Sequence, residues 1–426
     1  MKIKDIHARE ILDSNGNPTL STTIEVYSGE KGTAEVPSGA STGKNEAVEI
    51  RDEDKNRYHG KGVEKAVEIV NTKIKELLID REFTSQKEFD QLLIEADGTE
   101  LKEKLGGNSI LSCSMAFAKA VSNAFGLELY QYLAMTYWDK QYHNDNFKLP
   151  TPFILIMEGA KHGNWATDIQ EYMIVPDIEK FKTFSEALRV STEIFHTAHN
   201  ILDEKGYSVG LGYEGAYAPK EMKGNEEAFD IILNSIQKAG FTQDDFKLAV
   251  DVAASEFYDE NTQRYILKSE KKELSKEEWL TLQRDWYSKY PMISIEDPLD
   301  EEDWEGWADF TMKFGEKYMI VGDDLLCTNT KRIEKGIQQK AMNAVLIKPN
   351  QIGTITETLD AIRMTVDNGL DAIVSHRSGE TNDSFIADLV IATPAQFCKL
   401  GAPSRGERIV KYNRLLEIEE RISHSL

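Results

Sequence analysis

Cysteine is scarce in this sequence. The three cysteines among 426 residues, Cys113, Cys327 and Cys398, stand far apart and lack the spacing of metal ligands. This pattern excludes a disulfide framework and fits a reduced intracellular protein. No apolar run approaches the length of a membrane span, and the first residues, MKIKDIHARE, lack the apolar centre of a signal peptide. We therefore expect a cytoplasmic protein without membrane insertion.

Basic residues are also few. Lysine and arginine number 50 against 73 aspartates and glutamates, which gives a formal net charge of −23. Nucleic acids and anionic membranes both require a basic face, so neither is an expected partner. An anionic small-molecule substrate would need local positive charge or a metal ion to draw it in. The length of the chain favours two domains of unequal size.

The first domain is predicted to be α+β and to cover residues 1–140. Three short runs between residues 3 and 36 are separated by turn-rich segments, which indicates an antiparallel meander. Apolar residues then recur at helical intervals from about 60 to 133. The polar linker WDKQYHNDNFK (138–148) indicates the boundary to a second domain, which we place at residues 141–426.

The second domain is predicted to be an α/β barrel. Its apolar runs KLAV, MISI, MIVG and AVLI lead into Asp251, Glu296, Asp323 and Lys348, and the run DAIV leads into Ser375. The spacing between these runs leaves room for a helix and two loops each, which indicates β/α repeats around a parallel sheet. In a closed barrel, residues at the carboxyl ends of the strands face one shared site.

Asp251, Glu296 and Asp323 are candidate metal ligands. Carboxylates without histidine or cysteine favour Mg²⁺, which keeps water or substrate oxygens in its remaining positions. One such residue alone would more often cap a helix or face solvent. Three of them after successive strands make a shared cation site the better interpretation.

Lys348 and Arg377 are candidate positive groups of the same site. Burial and nearby cations would depress the pKa of Lys348 and leave its amine free to act as a base, although a lone lysine is more often ion-paired. Arg377, within the segment SHRSG, can fork onto a phosphate, and the plainer alternative is a polar loop with a stacked arginine. Lys399 is either a further anion contact or a solvated lysine.

Further candidates lie in loops. Glu214 stands in the glycine-rich segment GYEGA (212–216), which suits a mobile acid. Gln170 and Glu171 are adjacent on a predicted strand, so we expect only one of them to line a given pocket. His162 taken alone is more often an ordinary loop histidine. A base, a metal and an acid together indicate proton abstraction beside a carboxylate, followed by loss of water.

The motifs that contain these residues resemble enolase (phosphopyruvate hydratase) along essentially the whole chain. The matching stretches are VPSGASTGKNEA, DIQEYMIVP, AVDVAASEFY, SIEDPLDEEDW, VGDDLLCTNTKRI, VLIKPNQIGT, VSHRSGETNDSFIADL and KLGAPSRGERIVKYN. The resemblance implies an eightfold β/α (TIM-like) barrel carrying the catalytic site and a smaller amino-terminal α+β domain carrying a lid loop. It also implies a lyase of glycolysis that interconverts 2-phosphoglycerate and phosphoenolpyruvate with Mg²⁺.

The resemblance implies a role for each candidate. The ligands of a tightly held Mg²⁺ would be Asp251, Glu296 and Asp323. A second Mg²⁺, arriving with substrate, would be bound by Ser41 in the lid loop. Lys348 would remove the C2 proton, and Glu214, supported by Glu171, would assist departure of the C3 hydroxyl. The implied substrate contacts are His162, Gln170, His376, Arg377, Ser378 and Lys399.

The sequence departs from the family pattern near Glu214. The usual GDEGG has Tyr213 in place of its aspartate, and the usual NGGSH reads EGAKH, with Glu158 and Lys161. Loss of the neighbouring carboxylate predicts a lower pKa for Glu214 if no other charge replaces it. The new charges at 158 and 161 predict altered closure of the loops over the substrate.

Two alternatives to an active enolase are open at this stage. The first is a slow or inactive relative kept as a binding protein, for example at the cell surface, and the clustered substitutions motivate it. The second is a related dehydratase acting on another acid, against which the phosphate-type motif and the lid loop argue. The resemblance further implies a homo-oligomer, either a dimer or an octamer of dimers.

Overall fold

The computed structural model describes residues 1–40, 43–139 and 147–424. The predicted domain boundary between residues 140 and 141 lies outside the described residues, and so does Ser41 of the lid loop.

The chain begins with the predicted antiparallel meander. Its strands, in the order β1-β2-β3, are β1 (Ile3–Leu12), β2 (Pro18–Val26) and β3 (Lys31–Glu35). Asp13 shapes the first turn, because its carboxylate accepts the backbone N–H groups of Asn15 and Asn17 at 2.8 Å. Gly32 in β3 permits close packing against a helix, since a Cβ there would collide with the backbone of Ala116 and Ala120.

Helices pack against this sheet. They are α1 (Glu64–Ile69), α2 (Lys75–Leu78), α3 (Gln86–Asp97), α4 (Gly107–Ala124) and α5 (Leu129–Tyr137). The predicted helical stripe is present, but a π-helical stretch, Val70–Ile74, separates α1 from α2. The longest of these helices, α4, is buried almost throughout and packs on β2 and β3. Sheet and helices together form the predicted smaller α+β domain.

The rest of the chain forms a closed barrel of eight strands. In order around the barrel these are β4 (Thr151–Glu158), β5 (Glu171–Pro176), β6 (Phe246–Asp251), β10 (Met292–Glu296), β11 (Met319–Gly322), β12 (Ala344–Ile347), β13 (Asp371–Ser375) and β14 (Phe397–Lys399). The fold class predicted from the sequence is confirmed. The predicted parallel arrangement of the strands that end near Asp251, Glu296, Asp323, Lys348 and Ser375 is confirmed. Outside that stretch, β5 pairs antiparallel with both β4 and β6. No helix occurs in the loop from β4 to β5, and a strand that returns without a crossover runs antiparallel.

Helices surround the barrel. They are α6 (Ile178–Phe181), α7 (Phe184–Glu204), α8 (Asn225–Lys238), α9 (Lys276–Lys289), α10 (Trp304–Phe314), α11 (Thr330–Gln339), α12 (Pro349–Ile352), α13 (Ile355–Asp367), α14 (Phe385–Ala392) and α15 (Gly406–His424). A small antiparallel sheet interrupts the pattern after β6. Its strands are β7 (Tyr258–Asp259), β8 (Arg264–Leu267) and β9 (Lys272–Leu274). This insertion explains why the step from Asp251 to Glu296 is the longest between the charged strand ends.

The two parts share one continuous hydrophobic core, because buried apolar residues of the amino-terminal helices and of the barrel helices pack together. Within the described residues, no single helix combines the length and apolarity needed to cross a membrane. The pair α4 and α5 meets that test jointly, but the two helices are bent by 108° at the break between them.

Candidate active site

Charged residues meet at one rim of the barrel, where the sequence predicted them. Asp251 and Glu296 are the last residues of β6 and β10, and Lys399 is the last residue of β14. Asp323 and Lys348 directly follow β11 and β12. From β6 through β10 to β14 each strand runs parallel to the next, so their carboxyl ends lie at the same rim.

Gln170 and Glu171 reach the same rim from the opposite direction. Because β5 is antiparallel, its first residue, Glu171, pairs with Asp251 at the end of β6. Gln170 precedes the strand and is therefore not bound by strand alternation, and its Nε2 lies 3.2 Å from Oδ2 of Asp251. Both side chains line the same cavity. The expectation that only one of the two would do so is wrong.

Lys399 is the centre of a buried ionic cluster. Its Nζ lies 2.9 Å from both carboxylate oxygens of Glu296, 3.1 Å from Glu171 and 3.4 Å from Asp251. The side chain is almost fully buried, so the interpretation of a solvated lysine is wrong. Burial disfavours its charge, but the surrounding carboxylates outweigh burial and raise its pKa well above the ordinary value.

Lys348 is bonded to the third predicted metal ligand. Its Nζ donates to Oδ2 of Asp323, whose other oxygen accepts from Nε2 of Gln351 at 2.8 Å. The expectation of a depressed pKa for Lys348 is wrong for this state of the protein. Burial does lower the pKa, but the charge of Asp323 outweighs burial and raises the pKa above the ordinary value.

Glu214 faces two histidines. One carboxylate oxygen lies 3.4 Å from Nδ1 of His162, and the other lies 3.2 Å from Nε2 of His376. Arg408 sets the tautomer of His376, because a guanidinium N–H 2.5 Å from Nδ1 can only donate, which leaves the proton of the imidazole on Nε2, toward Glu214. His162 is buried and lies between Glu214 and Glu171, so it is not an ordinary loop histidine.

The protonation states of this group follow from burial and contact. Burial lowers the pKa of His376 to about 4 and also lowers that of His162, so both imidazoles are neutral near pH 7. Burial disfavours the charge of Glu214, but the two imidazoles facing it lower its pKa well below the ordinary value. The sequence predicted this direction from the missing aspartate at 213, whereas the structure gives the imidazoles as the cause. Burial and the charge of Glu214 raise the pKa of Glu171 well above its ordinary value.

Arg377 and Ser378 contact the loop that carries the predicted lid. The guanidinium of Arg377 pairs with Glu46, with Nη1 2.9 Å from Oε2, and also donates to Oδ1 of Asn350. Arg377 is buried and is held by a carboxylate partner. Oγ of Ser378 accepts the backbone N–H of Ala40 at 2.6 Å, and Ser38 exchanges two backbone hydrogen bonds with Gly379.

Three of the residues that depart from the family pattern, Tyr213, Lys161 and Glu158, point in different directions. The side chain of Tyr213 is 44 % exposed at the mouth of the site. Lys161 pairs with Glu256 at 2.6 Å and is half-exposed. Glu158, the last residue of β4, is buried, and its carboxyl accepts backbone N–H groups of Glu214 and Ala216. Burial and the charge of Glu214 raise the pKa of Glu158 to about 8.

Candidate base, acid and anion-binding residues line one small cavity. The predicted residues along its wall are His162, Gln170, Glu171, Glu214, Asp251, Asp323, Lys348, His376, Arg377, Ser378 and Lys399. Glu296 lies behind Lys399 and contacts it. The structure thus brings together every predicted site residue that it describes.

The sequence matches two family models over nearly its whole length. The model described as Enolase, C-terminal TIM barrel domain, matches residues 146–426, and the model described as Enolase, N-terminal domain, matches residues 3–133. The chain belongs to the enolase family. Its membership accounts for the arrangement of barrel and smaller domain seen in the structure.

The site of this enolase-family protein fits a divalent cation of the magnesium type. Its donors are buried carboxylates, which are the ligands that Mg²⁺ prefers, and each is compensated here by a lysine or an amide N–H donor. Oε1 of Gln170 is buried and, within the described residues, has no hydrogen-bond partner, so it remains available to a ligand.

The described residues contain two groups whose possible ligand atoms lie within 4.8 Å of one another. The first is His162, Glu171 and Glu214, and the second is Asp297, Asp323 and Asp324. Asp251, Glu296 and Asp323 do not form such a group; Lys399 contacts Asp251 and Glu296, and Lys348 contacts Asp323.

Several residues of this enolase site were missed by sequence reasoning. Asp297 accepts the backbone N–H groups of Asp323 and Asp324 and so orients the loop after β11. Arg408 bonds His376 and the carbonyl groups of Tyr213, Arg377 and Ser378. Glu46 pairs with Arg377. Arg408 and Glu46 lie within the quoted motifs, but a motif does not tell which of its side chains turn inward.

Proposed function

We propose that this protein is a Mg²⁺-dependent phosphopyruvate hydratase that interconverts 2-phosphoglycerate and phosphoenolpyruvate. One observation carries the proposal. An amine on a strand end (Lys348), a carboxyl between two imidazoles (Glu214) and a buried guanidinium (Arg377) line the same cavity as the carboxylates suited to a cation. These are the groups that removal of a proton, departure of a hydroxyl and binding of a phosphate require.

Asp251, Glu296 and Asp323 would hold the tightly bound Mg²⁺, and Ser41 would take part in binding a second. When bound, the cation would stabilise the negative charge that gathers on the substrate carboxylate as the C2 proton leaves. The burial of the strand-end residues keeps water away from this charge, which strengthens every electrostatic contact in the site.

The residues of the chain divide the proton transfers between them. Nζ of Lys348 would take the C2 proton of 2-phosphoglycerate as the neutral amine, which requires that the charge of Asp323 that raises its pKa be neutralised first. Glu214 alone is a carboxylate near pH 7, so the proton would come from the neighbouring Glu171, whose pKa is raised. Glu214 would pass this proton to the C3 hydroxyl, which leaves as water, and His162 adjoins both carboxyls. In the reverse direction the same groups exchange roles.

Substrate binding is assigned to the positive and hydroxyl groups opposite the carboxylates. Arg377 and Ser378 would bind the phosphate, and Gln170, His162, His376 and Lys399 would contact the remainder of the substrate. Ser378 is hydrogen-bonded to Ala40, so binding at Ser378 is coupled to the loop that follows β3.

Turnover of 2-phosphoglycerate tests the proposal. The purified protein should form phosphoenolpyruvate, followed by its ultraviolet absorbance, in the presence of Mg²⁺. An excess of EDTA should stop the reaction, and added Mg²⁺ should restore it. Absence of metal-dependent phosphoenolpyruvate formation would contradict the proposal.

The second candidate function is a binding protein with little or no catalysis, and the exposed Tyr213 and Lys161 at the mouth of the site motivate it. Under this alternative, 2-phosphoglycerate binds without turnover, and the double change Tyr213→Asp with Lys161→Ser restores activity. Ready turnover by the unaltered protein excludes it.

Family membership also leads us to propose a homo-oligomer, either a dimer or an octamer of dimers, in the cytoplasm. Light scattering on the eluate of a sizing column separates these assemblies from a monomer of 48.2 kDa. Cell fractionation tests the location and any additional presence at the cell surface.

A further inference from the structure

The carboxyl of Glu158 forms hydrogen bonds that hold the loop of Glu214 against the end of barrel strand β4. Glu158 ends β4 and is 1 % exposed. Its Oε1 accepts the backbone N–H of Ala216 at 2.7 Å and that of Glu214 at 3.1 Å, and its Oε2 lies 3.1 Å from the same N–H of Glu214. The acceptor therefore holds the backbone on both sides of Gly215.

The packing around Glu158 leaves the loop little freedom. A Cβ added at Gly212 would collide with Oε2 of Glu158, so the loop approaches the carboxyl as closely as a glycine allows. The backbone N–H of Glu158 donates to the carbonyl of Tyr217 at 2.9 Å, which ties the end of the loop to β4. The backbone of Glu214 is thus fixed from the barrel side, while His162 and His376 face its carboxylate from the other side.

The hydrogen bonds from the loop require an acceptor oxygen on residue 158 more than a negative charge there. Burial holds Glu158 protonated near neutral pH, and a protonated carboxyl still offers a carbonyl oxygen. One carbonyl oxygen has two lone pairs and can accept both the Glu214 and the Ala216 N–H groups. A glutamine at this position offers the same oxygen at the same reach, whereas an asparagine is one methylene shorter and an alanine has no acceptor.

We infer that Glu158 is a positioning residue for the acid step: its carboxyl oxygen fastens residues 214–216 so that the Glu214 carboxyl meets the leaving hydroxyl. This inference rests on the proposed hydratase function. Glu158 does not line the cavity wall beside Lys348, so its contact reaches the site through the loop that carries Glu214. A displaced acid costs elimination of water but leaves removal of the C2 proton intact, and these two steps can be measured separately.

The test compares formation of phosphoenolpyruvate with exchange of the C2 proton of 2-phosphoglycerate against deuterium in D₂O with Mg²⁺, followed by NMR. Glu158→Ala should lower kcat for phosphoenolpyruvate formation by about a hundredfold, because a misplacement of an ångström costs that much. Exchange at C2 should fall by less than about threefold, and KM should be unchanged. Glu158→Gln should keep both rates within about twofold.

Glu158→Asn supplies a second variant in case the alanine protein does not fold. Its shorter side chain should weaken phosphoenolpyruvate formation to a level between those of the glutamine and alanine variants, again with exchange preserved. Glu193→Ala, on the exposed face of α7, is the matched control and should change neither rate.

Equal losses of exchange and elimination in the Glu158 variants would overturn the inference, because they indicate general damage to the site. Normal elimination in Glu158→Ala and Glu158→Asn would overturn it as well. Failure of the unaltered protein to catalyse either reaction would instead contradict the proposed function, so the two failures are distinguishable.

Discussion

Glu46 forms a buried ion pair with the guanidinium of Arg377. Nη1 of the arginine lies 2.9 Å from Oε2 of the glutamate, Nη2 lies 3.2 Å from Oε1, and both side chains are buried. A substrate phosphate bound at Arg377 therefore meets a carboxylate that already shares the same cation. Oε1 of Glu46 also accepts the backbone N–H of Gly43, so this pair joins the anion site to the loop after β3.

Glu46→Gln should bind inorganic phosphate about tenfold more tightly than the unaltered protein, because it removes a negative charge beside the anion site. The same change should lower the melting temperature without ligand, since a buried arginine loses its countercharge. Calorimetric titration with phosphate measures the first effect. Glu302→Gln, which breaks a surface pair with Arg332, is the control. Weaker phosphate binding by Glu46→Gln would show that Glu46 supports the anion site and does not compete with it.

Lys399→Met tests the compensation of the buried carboxylates. Without the ammonium group, Glu296, Glu171 and Asp251 are left close together and without a buried cation among them, so the metal-free variant should be destabilised by about 3 kcal/mol. Added Mg²⁺ should therefore raise the melting temperature of the variant more than that of the unaltered protein. Calorimetry in EDTA and in Mg²⁺ measures both, with Lys238→Met on the surface as the control. An equal gain from Mg²⁺ in variant and parent contradicts this account of the cluster.

Arg408→Lys should lower both stability and turnover. The guanidinium reaches the imidazole of His376 and the carbonyl groups of Tyr213, Arg377 and Ser378, and a lysine cannot span these acceptors. Buried carbonyl groups that lose a donor cost about 1–3 kcal/mol each, so the melting temperature should fall clearly. Arg189→Lys, on the exposed face of α7, should melt like the parent. A normal melting temperature and turnover in Arg408→Lys would rule out this anchoring role.

His376 should make the protein less stable in mild acid. Its pKa is about 4 in the folded state against an ordinary 6.5, so between these values the unfolded chain binds a proton that the native protein does not. Stability should consequently fall as the pH is lowered from about 6.5 toward 4. His376→Gln should show a weaker fall of melting temperature between pH 7 and 5, and the exposed His196→Gln should behave like the parent. The same pH dependence in His376→Gln and in the parent would show that His376 does not cause the loss of stability in mild acid.

The strand ends and their chemistry could be predicted from the sequence because each is local. An apolar run that stops at Asp251, Glu296 or Lys348 predicts both a buried strand and the charged group at its end. The direction of β5 could not be predicted from the residues of the strand itself. It follows from the absence of a helix between Glu158 and Glu171, which the polar sequence of that loop does not reveal.

The ionic partners could not be predicted for a related reason. Glu46 and Arg377 are 331 residues apart, and Lys399 and Glu296 are 103 residues apart, so nothing in the local pattern joins them. The substitutions near Glu214 were visible in the sequence. Which of them turn inward depends on packing, and of Tyr213, Lys161 and Glu158 only Glu158 does so.

The assignment of Lys348 as the base is the central claim, and exchange of the C2 proton tests it directly. In D₂O with Mg²⁺, the unaltered protein should incorporate deuterium at C2 of 2-phosphoglycerate and form phosphoenolpyruvate. Lys348→Ala should lose at least about a thousandfold of the exchange rate, since no other amine takes the proton. Its melting temperature should still rise on addition of Mg²⁺, because Asp251, Glu296 and Asp323 are intact. Exchange at the normal rate in Lys348→Ala, or no exchange by the unaltered protein, would contradict the account.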